Sequence, residues 1–238
     1  MERHDNLYGR RKGKPLSPRR LGLMATLYPT LAVDMAIASP GDLRRIFPVT
    51  VDKVRLEIGF GGGEHLIDVA ARRSDAGFIG VEPFLNGMAK AVAAIADLGL
   101  RNIRLFDGDA VRLLDWLPSA SLSEIDLFYP DPWPKKRHFK RRFVSRENLD
   151  RFARVLSPGG LFRFASDIDS YVEWTLLYLG RRGDFDWTAE RADDWRRSFP
   201  DWPGTRYEAK ALAEGRKPAY LTFERRRLLP ISHSQSEE

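Results

Sequence analysis

The stretch Val54-Arg55-Leu56-Glu57-Ile58-Gly59-Phe60-Gly61-Gly62-Gly63-Glu64-His65-Leu66-Ile67-Asp68-Val69-Ala70 changes its period halfway along. Residues 54–59 read as a strand, residues 60–63 as a glycine-rich turn, and Leu66, Val69 and Ala70 then share one face of a helix. Working outward, the same unit recurs. Residues 78–81 form a second strand, and Leu85, Met88, Ala89, Val92, Ile95 and Ala96 repeat at helical spacing until Gly99 closes the helix. Residues 103–106 make a third strand, 110–116 a short helix and 125–129 a fourth strand. A helix is expected over 147–156, with Leu149, Phe152, Ala153 and Leu156 inward and Pro158-Gly159-Gly160 as its stop, before a fifth strand at 161–165. Beyond Asp169 the pattern predicts a helix to Tyr178, a Trp-rich irregular stretch to Pro203, a short helix over 205–214 and a last strand at 219–224. Alternating strands and helices imply parallel strands joined by right-handed crossovers, hence an α/β fold with an open, doubly wound sheet.

The chain has 238 residues, enough for one large domain or two small ones. No internal repeat or clear linker divides it, so the expectation is one domain at 51–228, preceded by a basic arm and packing segment at 1–50 and followed by a mobile polar tail at 229–238. Mean hydropathy of -0.40 with 43% hydrophobic residues excludes a wholly disordered chain. With no cysteine, disulfides, thiol catalysis and cysteine-ligated metals are all excluded; four scattered histidines give no metal centre, and none is expected. No apolar run reaches 18 residues, so no membrane partner is expected. Arg19-Arg20 ahead of a mostly apolar segment imitates a secretory signal, but Pro29 and Asp34 interrupt it and a cytoplasmic location is expected.

Thirty-nine basic against 33 acidic residues give a net charge of +6, which leans toward a polyanionic partner. Position sharpens the point: residues 135–142 hold six Lys/Arg in eight, and residues 9–20 hold six in twelve.

In a doubly wound sheet ligands bind at the carboxyl ends of the strands, near the reversal of strand order. Gly59-Phe60-Gly61-Gly62-Gly63-Glu64 imitates a dinucleotide fingerprint, but Glu64 stands where the third glycine belongs and Glu57 adds a second carboxylate. A pyrophosphate would be repelled there, whereas a cationic ligand needing close backbone approach would be welcome. S-adenosylmethionine, with a sulfonium, an amino group and two ribose hydroxyls, has those properties. Glu82 at the second strand end can accept from ribose hydroxyls, and Asp109 at the third can accept from an adenine amino group or merely cap the next helix. At the fourth, Tyr129-Pro130-Asp131-Pro132-Trp133-Pro134 sets a rigid turn presenting a carboxylate and an indole, the groups that grip a planar base by edge and by face. The basic run beginning at Lys135, with Phe139 inside it, follows at once and suits nucleic-acid phosphates.

Three of these segments together resemble the bacterial tRNA (guanine-N7-)-methyltransferase family: Glu57-Ile58-Gly59-Phe60-Gly61, then Tyr129-Pro130-Asp131-Pro132-Trp133 with its basic continuation to Arg142, then Thr205-Arg206-Tyr207-Glu208. The resemblance spans about residues 54–226. It implies a mostly parallel seven-stranded sheet of the class I methyltransferase (Rossmann-like) type, and methyl transfer from S-adenosylmethionine to N7 of the variable-loop guanine (position 46) of tRNA, leaving S-adenosylhomocysteine. By the same resemblance Glu57, Gly59, Gly61, Glu82, Asp109 and Asp131 would hold the cofactor, with Asp131 also catalytic. Lys135, Asp167, Thr205, Arg206, Tyr207 and Glu208 would contact substrate, while Arg137, His138, Phe139, Lys140, Arg141 and Arg142 would meet the RNA. Whether the enzyme is a monomer or a homodimer is left open. Residues 1–50 and 184–203 match no motif of the family.

Other classes fit less of the chain. A nicotinamide-dependent dehydrogenase would share the fold and Glu82 but not the broken fingerprint, and a non-catalytic RNA-binding module would leave the acidic strand ends unexplained. An exocyclic-amine methyltransferase is the nearest alternative, because Asp131-Pro132-Trp133 resembles the Asp-Pro-Pro-aromatic motif of that group.

Overall fold

The computed structural model describes residues 13–227. Seven strands, β1 (Lys53–Ile58), β2 (Ala76–Val81), β3 (Ile103–Phe106), β4 (Leu122–Phe128), β5 (Leu156–Ser166), β6 (Phe185–Trp187) and β7 (Ala219–Arg225), lie in the order β3-β2-β1-β4-β5-β7-β6. The first five are parallel, and β7 inserts antiparallel between β5 and β6. Strand order reverses between β1 and β4, so the crevice for a ligand opens above their carboxyl ends.

The helices are α1 (Pro18–Thr26), α2 (Tyr28–Leu31), α3 (Glu64–Arg72), α4 (Leu85–Leu98), α5 (Ala110–Trp116), α6 (Arg146–Val155), α7 (Asp169–Gly180), α8 (Asp193–Arg196) and α9 (Arg206–Ala213). Leu66, Val69 and Ala70 of α3 and Met88, Val92 and Ile95 of α4 pack with Phe78, Ile103 and Leu105 in one apolar cluster, while Leu113, Leu149, Phe152 and Tyr171 join the larger cluster containing Leu56, Ile125 and Phe164. Gly99 ends α4 in the left-handed region at φ 62°, as its position in the sequence predicts.

Two local readings need correction. Pro158-Gly159-Gly160 does not separate α6 from the fifth strand: β5 starts at Leu156, directly after α6, and the triplet lies inside it. The register jumps from Leu122↔Leu156 to Glu124↔Leu161, with Gly159 at φ 81°, so these residues form an irregularity in the strand rather than a helix stop. Second, the Trp-rich stretch contains β6 and the single turn α8. Residues 13–50 include a segment that packs on the sheet. Leu23, Met24, Leu27 and Tyr28 pack against the α3/α4 cluster, and Val33 N donates to Leu105 O at 2.8 Å, so this segment covers the edge of β3. The expected mobile tail at 229–238 and residues 9–12 of the basic stretch at 9–20 lie outside the described residues.

Candidate active site

Three glycines shape the turn after β1: Gly59, Gly61 and Gly63 hold φ of 74°, 60° and 81°, a region that penalises side chains. Gly87 of α4 comes so close that a Cβ there would lie 2.1 Å from Gly61 O. Helix and turn are therefore locked, and the backbone of the turn is bare toward the crevice.

Above the turn lies a cleft of about 720 Å³, lined among others by Gly59, Gly61, Glu82, Asp109, Asp131 and Trp133. Glu82 is buried and uses both carboxylate oxygens on backbone amides, accepting from Gly61 N at 2.6 Å and Phe84 N at 2.9 Å. Burial nevertheless raises its pKa above the ordinary glutamate value. Asp109 performs the capping role that the sequence allowed, since its Oδ1 accepts from Val111 N at 2.9 Å, and its other oxygen has no hydrogen-bond partner among the described residues. Asp131 is open to solvent at the cleft wall, yet the desolvation imposed by surrounding protein raises its pKa.

The turn carrying Asp131 is strained. Tyr129 and Trp133 both sit in the left-handed region, at φ 48° and 43°, where a non-glycine residue costs about 1–3 kcal/mol. The strain is held in place by contacts: the Arg141 guanidinium lies 4.9 Å from the Trp133 ring centre, and His138 meets the same ring edge-on at 6.0 Å. The cleft is lined as well by Phe143, Ser145, Asn148 and Arg151, just before and within α6, which the sequence did not point to. Arg206 and Tyr207, at the start of α9, cover the glycine turn: a Cβ on Gly61 would lie 3.1 Å from Arg206 Nη2 and 3.3 Å from the Tyr207 ring.

Beneath the cleft is a second polar group. Arg55 and Glu57 on β1 stand beside Glu124 and Asp126 on β4, in register, with Arg163 of β5 opposite Asp126. Arg163 forks onto both oxygens of Asp126 at 2.8 and 2.9 Å and also meets Glu124. Arg55 Nη2 reaches Glu124 at 2.8 Å and Asp126 at 3.4 Å, and His65 Nδ1 lies 2.7 Å from Glu57 Oε2. The two β4 carboxyls are pushed apart: burial and the neighbouring Asp126 raise Glu124 to about 7, whereas Arg163 and Arg55 overcome burial to hold Asp126 at about 2. Donor atoms of Glu57, His65 and Asp126 lie within 4.8 Å of one another, but Arg163 already occupies both oxygens of Asp126.

The residues expected at the site therefore divide. Gly59, Gly61, Glu82, Asp109, Asp131, Lys140, Arg141, Arg206 and Tyr207 converge on the cleft. Glu57 stands behind the turn against His65. Thr205 caps α9, its Oγ1 accepting from Glu208 N at 3.1 Å. Lys135 and Arg137 are exposed beyond the cleft, and Asp167 is paired with Arg216 at 2.5 Å.

Three readings are corrected. Arg142 is buried: it donates to Pro132 O at 3.0 Å, Ser170 O at 2.7 Å and Ser170 Oγ at 2.9 Å, and its guanidinium lies over the Phe139 ring at 3.8 Å, so its hydrogen bonds are spent within the protein at the base of the cleft wall. Phe139 is correspondingly packed between Arg142 and Trp174. Glu208 is also buried, accepting from Trp202 Nε1 at 2.7 Å and from the Tyr220 hydroxyl, so it anchors α9 and does not face substrate.

A bare backbone turn, acidic side chains around it and no phosphate cradle fit S-adenosylmethionine as a ligand. Comparison with known proteins agrees. A family model described as a putative methyltransferase matches residues 52–221. The tRNA (guanine-N(7)-)-methyltransferase of Rhizobium meliloti (strain 1021) is 60% identical over 92% of this chain and 94% of that protein. Its namesake in Chelativorans sp. (strain BNC1) is 56% identical over 94% and 99%. Among solved structures, the 16S rRNA methyltransferase KamB superposes with a TM-score of 0.52 at 19% identity, covering 74% of this chain and 89% of that one, and a putative methyltransferase from Streptococcus mutans in complex with S-adenosylhomocysteine gives 0.50 at 8%, covering 74% and 89%. These two likenesses establish the class I methyltransferase fold.

Proposed function

The chain belongs to the tRNA (guanine-N(7)-)-methyltransferase family, and from that premise we propose how the cleft carries out the reaction. The protein is an S-adenosylmethionine-dependent enzyme that methylates N7 of guanine in tRNA. Position 46 in the variable loop is the proposed target. The donor supplies an electrophilic methyl on a sulfonium. Toward it, the glycine backbone of residues 59–61, free of side chains, gives close approach, Glu82 receives the ribose hydroxyls and Asp109 the adenine amino group, while Glu57 lends its charge from behind the turn.

Guanine N7 carries a lone pair at neutral pH, so attack needs no base. Positioning is what remains. Asp131 is well placed for it: a carboxylate on a strained, rigid turn can accept from guanine N1–H and its amino group together, which aligns N7 and rejects adenine, whose N1 bears no proton. An exocyclic amine would instead require proton removal. Trp133 offers a face for the base, and Lys140 and Arg141 lie on the same wall as the approaching phosphates. The reading is supported above all by the convergence of Gly61, Glu82, Asp109 and Asp131 on one cleft. Among the described residues no helix is long and apolar enough to cross a membrane, and the proposed setting is the cytoplasm, where tRNA is found.

Single-turnover methyl transfer to saturating tRNA, followed from pH 6 to 9, tests the role of Asp131. Asp131→Asn should slow transfer by about 100-fold, with parent and variant rates both flat in pH. A parent rate rising with a carboxylate-like pKa that the variant lacks would make Asp131 a base and overturn the assignment.

A further inference from the structure

We propose that Arg206 binds the carboxylate of the methionine moiety of S-adenosylmethionine, so that α9 reads the amino-acid end of the donor as well as covering the cleft. The inference rests on the S-adenosylmethionine reading above and assigns one residue within it.

The acidic lining suits the cationic parts of the donor and leaves its one anionic group unmatched. A carboxylate near Glu82, Asp109 and Asp131 would be repelled unless a cation stood beside it. Two basic side chains reach the glycine turn. Lys90 is already committed, its Nζ pairing with Glu64 at 2.6 Å. Arg206 forms no ion pair among the described residues, and its one hydrogen bond there goes from Nη2 to the Tyr207 hydroxyl at 3.1 Å. Arg206 comes within 3.1 Å of the position of a Gly61 Cβ, so the missing side chain at Gly61 is what lets the guanidinium approach the turn. Lys140, Arg141 and Arg151 line the cleft from the segment after β4 and from α6, and none of them is among the nearest neighbours of Gly61 or Gly62.

The placement is also rigid. Thr205 caps α9, and Glu208, one turn on, is tied to Trp202 and Tyr220, so Arg206 projects from an anchored helix end. A planar guanidinium can meet a carboxylate with two parallel hydrogen bonds.

Calorimetric binding of S-adenosylmethionine and of decarboxylated S-adenosylmethionine, which lacks only this carboxylate, provides the test. The acidic cleft alone would favour the more cationic decarboxylated molecule, so a preference for the carboxylate form demands a local cation. The parent should bind S-adenosylmethionine roughly 10- to 100-fold more tightly than the decarboxylated form. Arg206→Gln should erase most of that preference while binding the decarboxylated form within about threefold of the parent, which also shows that the variant is folded; Arg206→Lys should restore part of it. A parent without the preference, or an Arg206→Gln that keeps it or weakens both ligands equally, overturns the proposal. If the parent bound neither molecule, the methyltransferase reading itself would fall.

Discussion

The acidic side chains around the carboxyl ends of the strands form two groups of similar composition and opposite fate. In the lower group Glu124 and Asp126 are neutralised by Arg55 and Arg163, and Glu57 is held by His65. In the upper group, among the described residues, Glu82 accepts from backbone amides with Arg206 acting on it at longer range, Asp109 accepts from a helix amide, and Asp131 lies open at the cleft wall. Where no ligand arrives, the fold supplies its own cations. Where one does, it supplies shape and leaves the charge to be met from outside. The basic residues divide the same way, with Arg142 absorbed into the protein while Arg137 and Lys140 remain at the surface.

The largest effect that would sharpen this contrast is expected from Asp126→Ala. It removes the carboxylate that Arg163 grips with two hydrogen bonds and leaves Arg55 and Arg163 sharing Glu124, and should lower unfolding free energy by about 3 kcal/mol in denaturant titrations. A loss below about 1 kcal/mol would show the lower group to be as well solvated as the upper.

Next is the basic run. Arg142→Ala removes three hydrogen bonds from a buried cation and should cost about 2–3 kcal/mol of stability, with the salt dependence of tRNA binding unchanged. Arg137→Ala with Lys140→Ala should leave melting unaltered and flatten the slope of log affinity against log salt by about one to two. Equal slopes for parent and double variant would reduce the exposed half to a solvated face.

The smallest effect concerns pH. Glu124 has its folded-state pKa near 7, well above the ordinary glutamate range, so the stability linked to its protonation is present below about pH 4.5 and is lost as pH rises through 7. Asp126, held near 2, runs the other way: its contribution is present above about pH 4 and disappears as pH falls through 2. Between pH 5 and 8, therefore, Glu124→Gln should gain on the parent by about 1 kcal/mol in urea unfolding. Movement in the parent's favour would reverse the sign assigned to Glu124.

How far the sequence could be read follows from where each signal lies. Elements with a local period, such as α3, β3, α4 and α5, were legible because their apolar spacing survives without the rest of the chain. So were the cleft carboxylates, since each ends a strand. The strand β6 was not: three residues carry no period, and β7 pairs with them from more than thirty positions away. Pro158-Gly159-Gly160 misled because proline and glycine look alike whether they end a helix or interrupt a strand. The lower charge network was hidden because an alternating Arg-x-Glu on a strand reads as a solvent face, and only the register of β1, β4 and β5 pairs those charges. Arg142 and Glu208 were misplaced for a related reason: Ser170 and Tyr171, which bury one, and Tyr220, which holds the other, become neighbours only in the folded chain.

The insertion of β7 between β5 and β6 sets the timetable of assembly. β7 is the last strand among the described residues yet an interior one in the sheet, and it carries Tyr220, to which the helix with Arg206 and Tyr207 is moored through Glu208. A nascent chain that has emerged only as far as α9 can pair β1 to β5, but the outer edge of β5 is bare, β6 has no strand to join, and the cover over the glycine turn has lost one of its two moorings. Competence to grip the donor thus waits on the emergence of β7. A polypeptide cut short before residue 219 would be left with an unpaired strand edge, the feature that invites aggregation and marks a faulty product for removal.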